Sequence, residues 1–325
     1  MPDRPFQLPF DPRIPALVGL IAVLAACSGA GPSAGASGSG APTGSAAPSP
    51  SAPGASPSAV PSITPAPTVA GIDHSTAAGD VVLRLEQGGG FVPIDFLASQ
   101  APMFTLYGDG VVVFQPKVEL YPQPDPSGVI HGIPWRTAKL DEGQIQQLLE
   151  FVLGPGGLGT ARDAYIDGRI ADAPNTIFTI HAGGLDKTVV VNALGGGGQP
   201  GPDDAARAAF LKVAGRLGDF DQGGTVSTDE YATDRYRFVL TQRDAQPTDR
   251  PMAWPWPTLK VSDFKPGAND ASGGIALPHR VGGQADVDAL GLKDTAGGLQ
   301  GLVVKGPDGK TYGLVVRPLL ADETA

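Results

Sequence analysis

A chain of 325 residues with a formal net charge of -10 and a pI near 4.8 has no concentration of Lys and Arg to neutralise a phosphate backbone, which excludes a nucleic-acid partner. Its 46 glycines and 33 prolines crowd toward the N-terminus, so the rest is read apart: about 250 residues remain beyond position 71, enough to bury an apolar core without disulfides or metals. No cofactor and no metal is needed to hold such a core, and the single cysteine has no partner for an internal disulfide.

The chain opens with Arg4 and Arg13, then the apolar run from Ala16 to Ala26. That run has the length of a signal-peptide core and falls well short of the about twenty residues that a membrane-spanning helix needs. It ends in Leu24-Ala25-Ala26-Cys27, which resembles the bacterial lipobox, the motif after which lipoprotein signal peptidase cuts once the cysteine carries a diacylglyceryl group. The resemblance implies cleavage after Ala26 and acylation of Cys27, the only thiol in the chain. Several acyl chains would hold the protein stably in a lipid bilayer, where one chain binds only marginally. Asp3 and Asp11 offset the two arginines, and a plain secretory signal beside a coincidental cysteine is the alternative. From Ser28 to Gly71 the chain is nearly all Ser, Ala, Gly, Pro and Thr, without charge or aromatic residues, which predicts an unfolded tether about 35–40 Å in span. The expected organisation is a signal peptide over 1–26, a lipidated cysteine and tether over 27–71, an α+β domain over 72–220 and a smaller β-rich subdomain over 231–325. The expected location is the extracytoplasmic face of the cell membrane.

Strand signals begin at Val81-Val82-Leu83-Arg84-Leu85, which alternates with period two before Gly88-Gly89-Gly90-Phe91. Met103 to Tyr107 and Val111 to Phe114 flank Gly108-Asp109-Gly110, a hairpin pattern. Asn175 to His181 and Lys187 to Asn192, joined by Ala-Gly-Gly-Leu-Asp, predict a second hairpin. Leu302 to Lys305 and Thr311 to Val316, around Gly306-Pro-Asp-Gly309, predict a third.

Two amphipathic helices interrupt this β pattern. In the first, Asp141 caps, Gln144 completes a capping box, and Leu140 and Ile145 form a hydrophobic staple. Ile145, Leu148, Leu149 and Val152 make one apolar stripe, and Gly154-Pro155-Gly156 ends the helix. In the second, Pro202, Asp203 and Asp204 suit a helix N-terminus, Phe210, Val213, Ala214 and Leu217 form the stripe, and Gly218 ends it. The fold class expected is α+β, mostly antiparallel. Residues 219–230 look like a linker. Pro134-Trp135 ahead of the first helix and Trp254-Pro255-Trp256 ahead of a short helical stretch at Asp286–Leu290 form an echo, which admits two related subdomains by duplication.

Several motifs fail on spacing. Gly306 to Thr311 ends in Gly-Lys-Thr, but a phosphate loop needs glycine where Val304 stands, and the segment joins strands. Gly195 to Gly198 is a flexible connection before a helix. Asp163, Asp167 and Asp172 share one connecting segment, either a solvated acidic loop or a calcium site, without the spacing of an EF-hand. His74, His131, His181 and His279 are scattered with no zinc-ligand spacing. No Gly-x-Ser-x-Gly elbow surrounds any serine, so no catalytic set is visible. Trp254-Pro255-Trp256 is the most distinctive segment. Period-two backbone puts both rings on one side, either as anchors for a partner or glycan or as the cover of an open sheet face.

The C-terminal Lys310-Thr-Tyr-Gly-Leu-Val-Val-Arg317-Pro-Leu-Leu-Ala-Asp-Glu323 resembles the ending of a group of uncharacterised bacterial lipoproteins that share the lipobox, the tether and a Trp-Pro segment. That resemblance covers 80–325 and implies no activity. Residues 84–220 follow the element order of emfourin-type inhibitors of metalloproteases, which implies a protease inhibitor as one alternative. An unrecognised envelope hydrolase is another. The reading expected from the residues is a non-enzymatic, membrane-anchored protein that binds an envelope protein or a wall component.

Overall fold

A computed structural model describes residues 71–118, 120–168, 170–196, 201–221, 226–246, 249–267 and 277–324. All of them fall within one compact unit. In chain order the elements are β1 (Val81–Gly88), α1 (Ile94–Ser99), β2 (Phe104–Tyr107), β3 (Val111–Phe114), β4 (Ile130–His131), β5 (Arg136–Lys139), α2 (Glu142–Leu153), β6 (Ala164–Tyr165), β7 (Asn175–Ala182), β8 (Leu185–Asn192) and α3 (Asp204–Gly218). There follow β9 (Asp229–Glu230), β10 (Arg235–Gln242), β11 (Met252–Ala253), β12 (Lys265–Pro266), β13 (Pro278–Gly283), α4 (Gln284–Asp288), β14 (Leu299–Lys305) and β15 (Thr311–Pro318). The fold is α+β, with two mostly antiparallel sheets. The first runs β6-β8-β7-β1-β2-β3-β5-β9, the second β11-β14-β15-β10-β13-β12, and β4 pairs with β14.

The first sheet forms as its alternation dictates. Leu83, Leu85, Phe104, Leu106, Phe178, Ile180, Val189 and Val191 point to one face, which α2 and α3 cover. Helix α2 is set by a complete capping box: Asp141 Oδ1 accepts from Gln144 N, and Gln144 Oε1 accepts from Asp141 N. Its stripe of Ile145, Leu148, Leu149 and Val152 is buried, as are Phe210, Val213 and Leu217 of α3. The β7–β8 hairpin is tighter than the five-residue connection expected. Gly183 and Gly184 have φ of 61° and 75° and close a two-residue turn, so that Ala182 and Leu185 pair directly.

The second sheet is centred on β15, all eight residues of which are buried. One face meets a cluster built on Phe238, Trp256, Leu302 and Leu314. The other carries Val239 and Val315 and packs against Ala98 of α1. That short helix lies early in the chain, directly after β1, yet serves the later sheet. It was not anticipated, because six residues beside a glycine run carry no usable period. The expected linker over 219–230 is in part strand: β9 pairs with β5, register Arg136 to Glu230. The sheets are thus stitched from both sides, β4 reaching into the second and β9 into the first.

The echo between the halves does not extend to topology. Each sheet contains a strand, its antiparallel partner, a helix and a hairpin. In the first the central strand β1 pairs with the leading hairpin strand β7; in the second β10 pairs with the trailing strand β15. A duplicated unit would keep one order, so the hairpins are attached in opposite senses.

Candidate functional site: a cleft between the sheets

Where the two sheets meet, a cavity of about 450 Å³ opens. The ends of the first sheet's strands supply Gln87, Met103 and Gln115; α1 and the turn after it supply Phe96, Ser99, Gln100 and Ala101. The segment between β3 and β5 contributes Val118, Tyr121, Pro122, Ile133 and Trp135, and the second sheet closes the floor with Leu299, Gln300, Val316 and Arg317. The floor depends on glycine. Gly132 N donates to Gly298 O at 2.9 Å, and a Cβ on either Gly132 or Gly297 would collide with the other's backbone. Two of the cavity's lining aromatic side chains are exposed, Tyr121 at 79% and Phe96 at 45%.

The electrostatics are plain. Among the described lining residues there is no histidine, no lysine and no carboxylate, and Arg317 is the only full charge. Arg317 is buried and already held: Nη2 donates to Glu323 Oε1 at 2.6 Å and Nη1 to Glu323 Oε2 at 2.9 Å. Ser99 Oγ donates to Phe96 O at 2.9 Å, with no base beside it. The cleft therefore offers shape, apolar contact and amide hydrogen bonds, without a nucleophile and base in reach of each other.

Beneath the cleft, the C-terminal segment ties the sheets together. Arg84 Nη2 donates to both Asp322 carboxylate oxygens at 2.7 and 2.8 Å, Tyr107 Oη donates to Asp322 Oδ1 at 2.7 Å, and Arg235 Nη2 donates to Glu323 O at 2.6 Å. Burial pushes the Tyr107 hydroxyl pKa up, and its bond to Asp322 adds to this. Burial opposes ionisation of Glu323 most strongly of all the influences on it. The Arg317 hydrogen bond and charge outweigh it, with the Leu320 N–H and Arg84 assisting, and hold that carboxyl below its ordinary value. Glu86 goes the other way: burial raises it, Arg84 counters, and the charges of Glu323 and Asp322 raise it further.

The residues singled out from sequence fare unequally. Trp254 and Trp256 do come together, with ring centroids 5.2 Å apart, but they do not form a surface pair, and the partner-anchor reading of them is corrected here. Trp256 is 4% exposed and stands edge-on to Phe238, its Nε1 donating to Asp286 O; Trp254 is half-buried against Phe264, its Nε1 donating to Leu259 O. The reason is coverage: α4 has only five residues, so the aromatic segment shields the sheet instead. Asp163 and Asp172 are exposed and serve through backbone carbonyls, Asp163 O accepting from Val190 N and Asp172 O from Phe91 N. His74, His131 and His181 sit beside Glu142, Asp125 and Asp186 in separate places, and His279 accompanies Leu277 O. No group of three or more His, Cys, Asp or Glu gathers among the described residues. Ala26, Cys27, the signal peptide, the tether and part of the Gly195 to Gly198 run lie outside the described residues. No helix of the described residues is long and apolar enough to cross a membrane.

What sequence reasoning missed was the cleft itself. Its signals were weak but present: Tyr121-Pro122 and Ile133-Pro134-Trp135 place aromatic and apolar residues in a proline-rich connection that no periodic element claims. No protein-family model, no curated protein and no solved structure matches this chain.

Proposed function

We propose that this chain is a membrane-anchored, extracytoplasmic lipoprotein that acts as a non-enzymatic binding protein of the cell envelope, with the inter-sheet cleft as its binding site. The observation that carries the reading is the character of that cleft: about 450 Å³, apolar and amide-lined, rimmed by exposed aromatic residues, and free of acid–base pairs among its described residues. The lipobox at Leu24–Cys27 and the uncharged stretch that follows support anchoring through acylated Cys27. Chain geometry agrees with presentation outward. The described chain enters at Gly71–His74 beside the β7–β8 turn, where Gly183 N donates to Asp73 O, whereas the cleft sits at the opposite ends of β1, β2 and β3.

Two experiments test this. Cys27→Ser should abolish incorporation of labelled palmitate and move the protein from the membrane to the soluble fraction; unchanged fractionation sinks the anchoring half. A photo-crosslinking residue placed at Tyr121 should give a discrete, saturable adduct in intact envelopes, and one placed at the half-exposed Leu211 on α3 should not. Equal, non-saturable labelling at both positions sinks the binding half.

A further inference from the structure

We infer that the ligand of the cleft is an uncharged glycan strand of the wall; this rests on the cleft being the binding site. Three features of the lining select it. The first is near-neutrality: among the described lining residues the only charge is Arg317, which is ion-paired to Glu323 and keeps a single unpartnered donor, the buried Nε, so neither an anionic polymer nor a cation finds a free counter-charge, and the chain's net charge of -10 repels polyanions.

The second is hydrogen-bonding capacity. Gln87, Gln100 and Gln300 surround the cavity, and their carboxamides make no hydrogen bond among the described residues; Gln100 Oε1 is buried without a partner. Each carboxamide presents a donor and an acceptor on adjacent atoms, which matches hydroxyl groups that both donate and accept. The third is the wall itself: Phe96 and Tyr121 offer exposed ring faces, whose negative quadrupole suits the C–H faces of sugar rings.

A peptide is the competing occupant, and strand pairing disfavours it. Extended peptides dock on free strand edges, and β14 and β15, which floor the cleft, are paired on both sides there. Leu299 of β14 pairs with both His131 and Val316, and β15 has β10 and β14 on its two sides, whereas Gln87 of β1 pairs only with Thr176 of β7, the β1–β2 ladder ending at Leu85.

The test uses the full-length lipidated protein in detergent micelles and follows the fluorescence of Trp135, the tryptophan in the cleft wall, with Trp135→Phe as the blank. The probes are the neutral tetrasaccharide of N-acetylglucosamine, cellotetraose and an uncharged apolar hexapeptide. Saturable binding of a tetrasaccharide is expected, weakened about three- to tenfold by each of Gln87→Leu, Gln100→Leu and Gln300→Leu. Gln87 is exposed, so its variant keeps the test sound even if Gln100→Leu misfolds. Binding of the peptide alone, or tetrasaccharide binding indifferent to all three substitutions, overturns the glycan assignment and leaves the cleft reading in place. No response of Trp135 to any probe also overturns the glycan assignment, while the crosslinking at Tyr121 decides separately whether the cleft binds at all.

Discussion

The two sheets solve the same burial problem with different means. The first hides its apolar face beneath two helices of its own, α2 and α3, which are long enough to carry full apolar stripes. Among the described residues, the second has no such helix of its own. It is covered on one face by Trp254, Trp256 and Phe264 and on the other by α1, taken from the first half of the chain. Arg280 strengthens the aromatic cover, its guanidinium 5.4 Å from the Phe238 ring centroid and 2.9 Å from Asp286. The difference teaches that a sheet's cover need not be local. Because the second sheet borrows its cover, the halves share packing across their seam, and that seam leaves the cleft.

The largest effects should come from removing the cover itself. Phe210→Ala and Trp256→Ala, one under each sheet, should each cost about 3–5 kcal/mol of stability. If the sheets are as interlocked as β4 and β9 suggest, urea titration will show both variants shifting one common transition. Hydrogen exchange in β10 and β15 left untouched by Phe210→Ala would break the comparison by making the sheets independent.

The clasp comes next. Glu323→Gln removes the charge facing the buried Arg317 and should cost about 1–3 kcal/mol at neutral pH. The sign with pH follows from the depressed carboxyl. Its stabilisation is fully present above the ordinary glutamate value of 4.5 and is lost as pH falls through the lower folded value. Wild-type thermal stability should therefore drop on that acid side, and the drop should be shallower in Glu323→Gln.

Two smaller substitutions sharpen the contrast. Asp141→Ala deletes the cap of α2 and should cost about 1 kcal/mol, read by thermal denaturation; among the described residues the second sheet has no long helix on which an equivalent loss could be scored. Glu86→Gln should have the smallest effect and the opposite sign. Its folded carboxyl lies above 4.5, so its contribution is favourable below that value and is lost as pH rises through the folded value. The glutamine variant should melt slightly higher than wild type at pH 7 and no higher at pH 4.

Sequence alone determined the α+β class, the hairpins and both long helices, because period-two and period-3.6 patterns and capping chemistry act over a few neighbouring residues. Asp141 and Gln144 need only each other to start α2, and the turn after Phe104–Tyr107 needs only Gly108-Asp109-Gly110. Local signals also located Trp254 and Trp256 as unusual, without saying whether they faced solvent or core. Only the tertiary structure decided that, and with it the placing of α1 on the later sheet, the strand exchange of β4 and β9, and the closing of Asp322 and Glu323 onto Arg84 and Arg317 across 238 and 6 residues of chain. These depend on which surfaces remain uncovered once every local element has formed. That quantity belongs to the whole assembly, and the cleft is what remains where two covers of different origin meet.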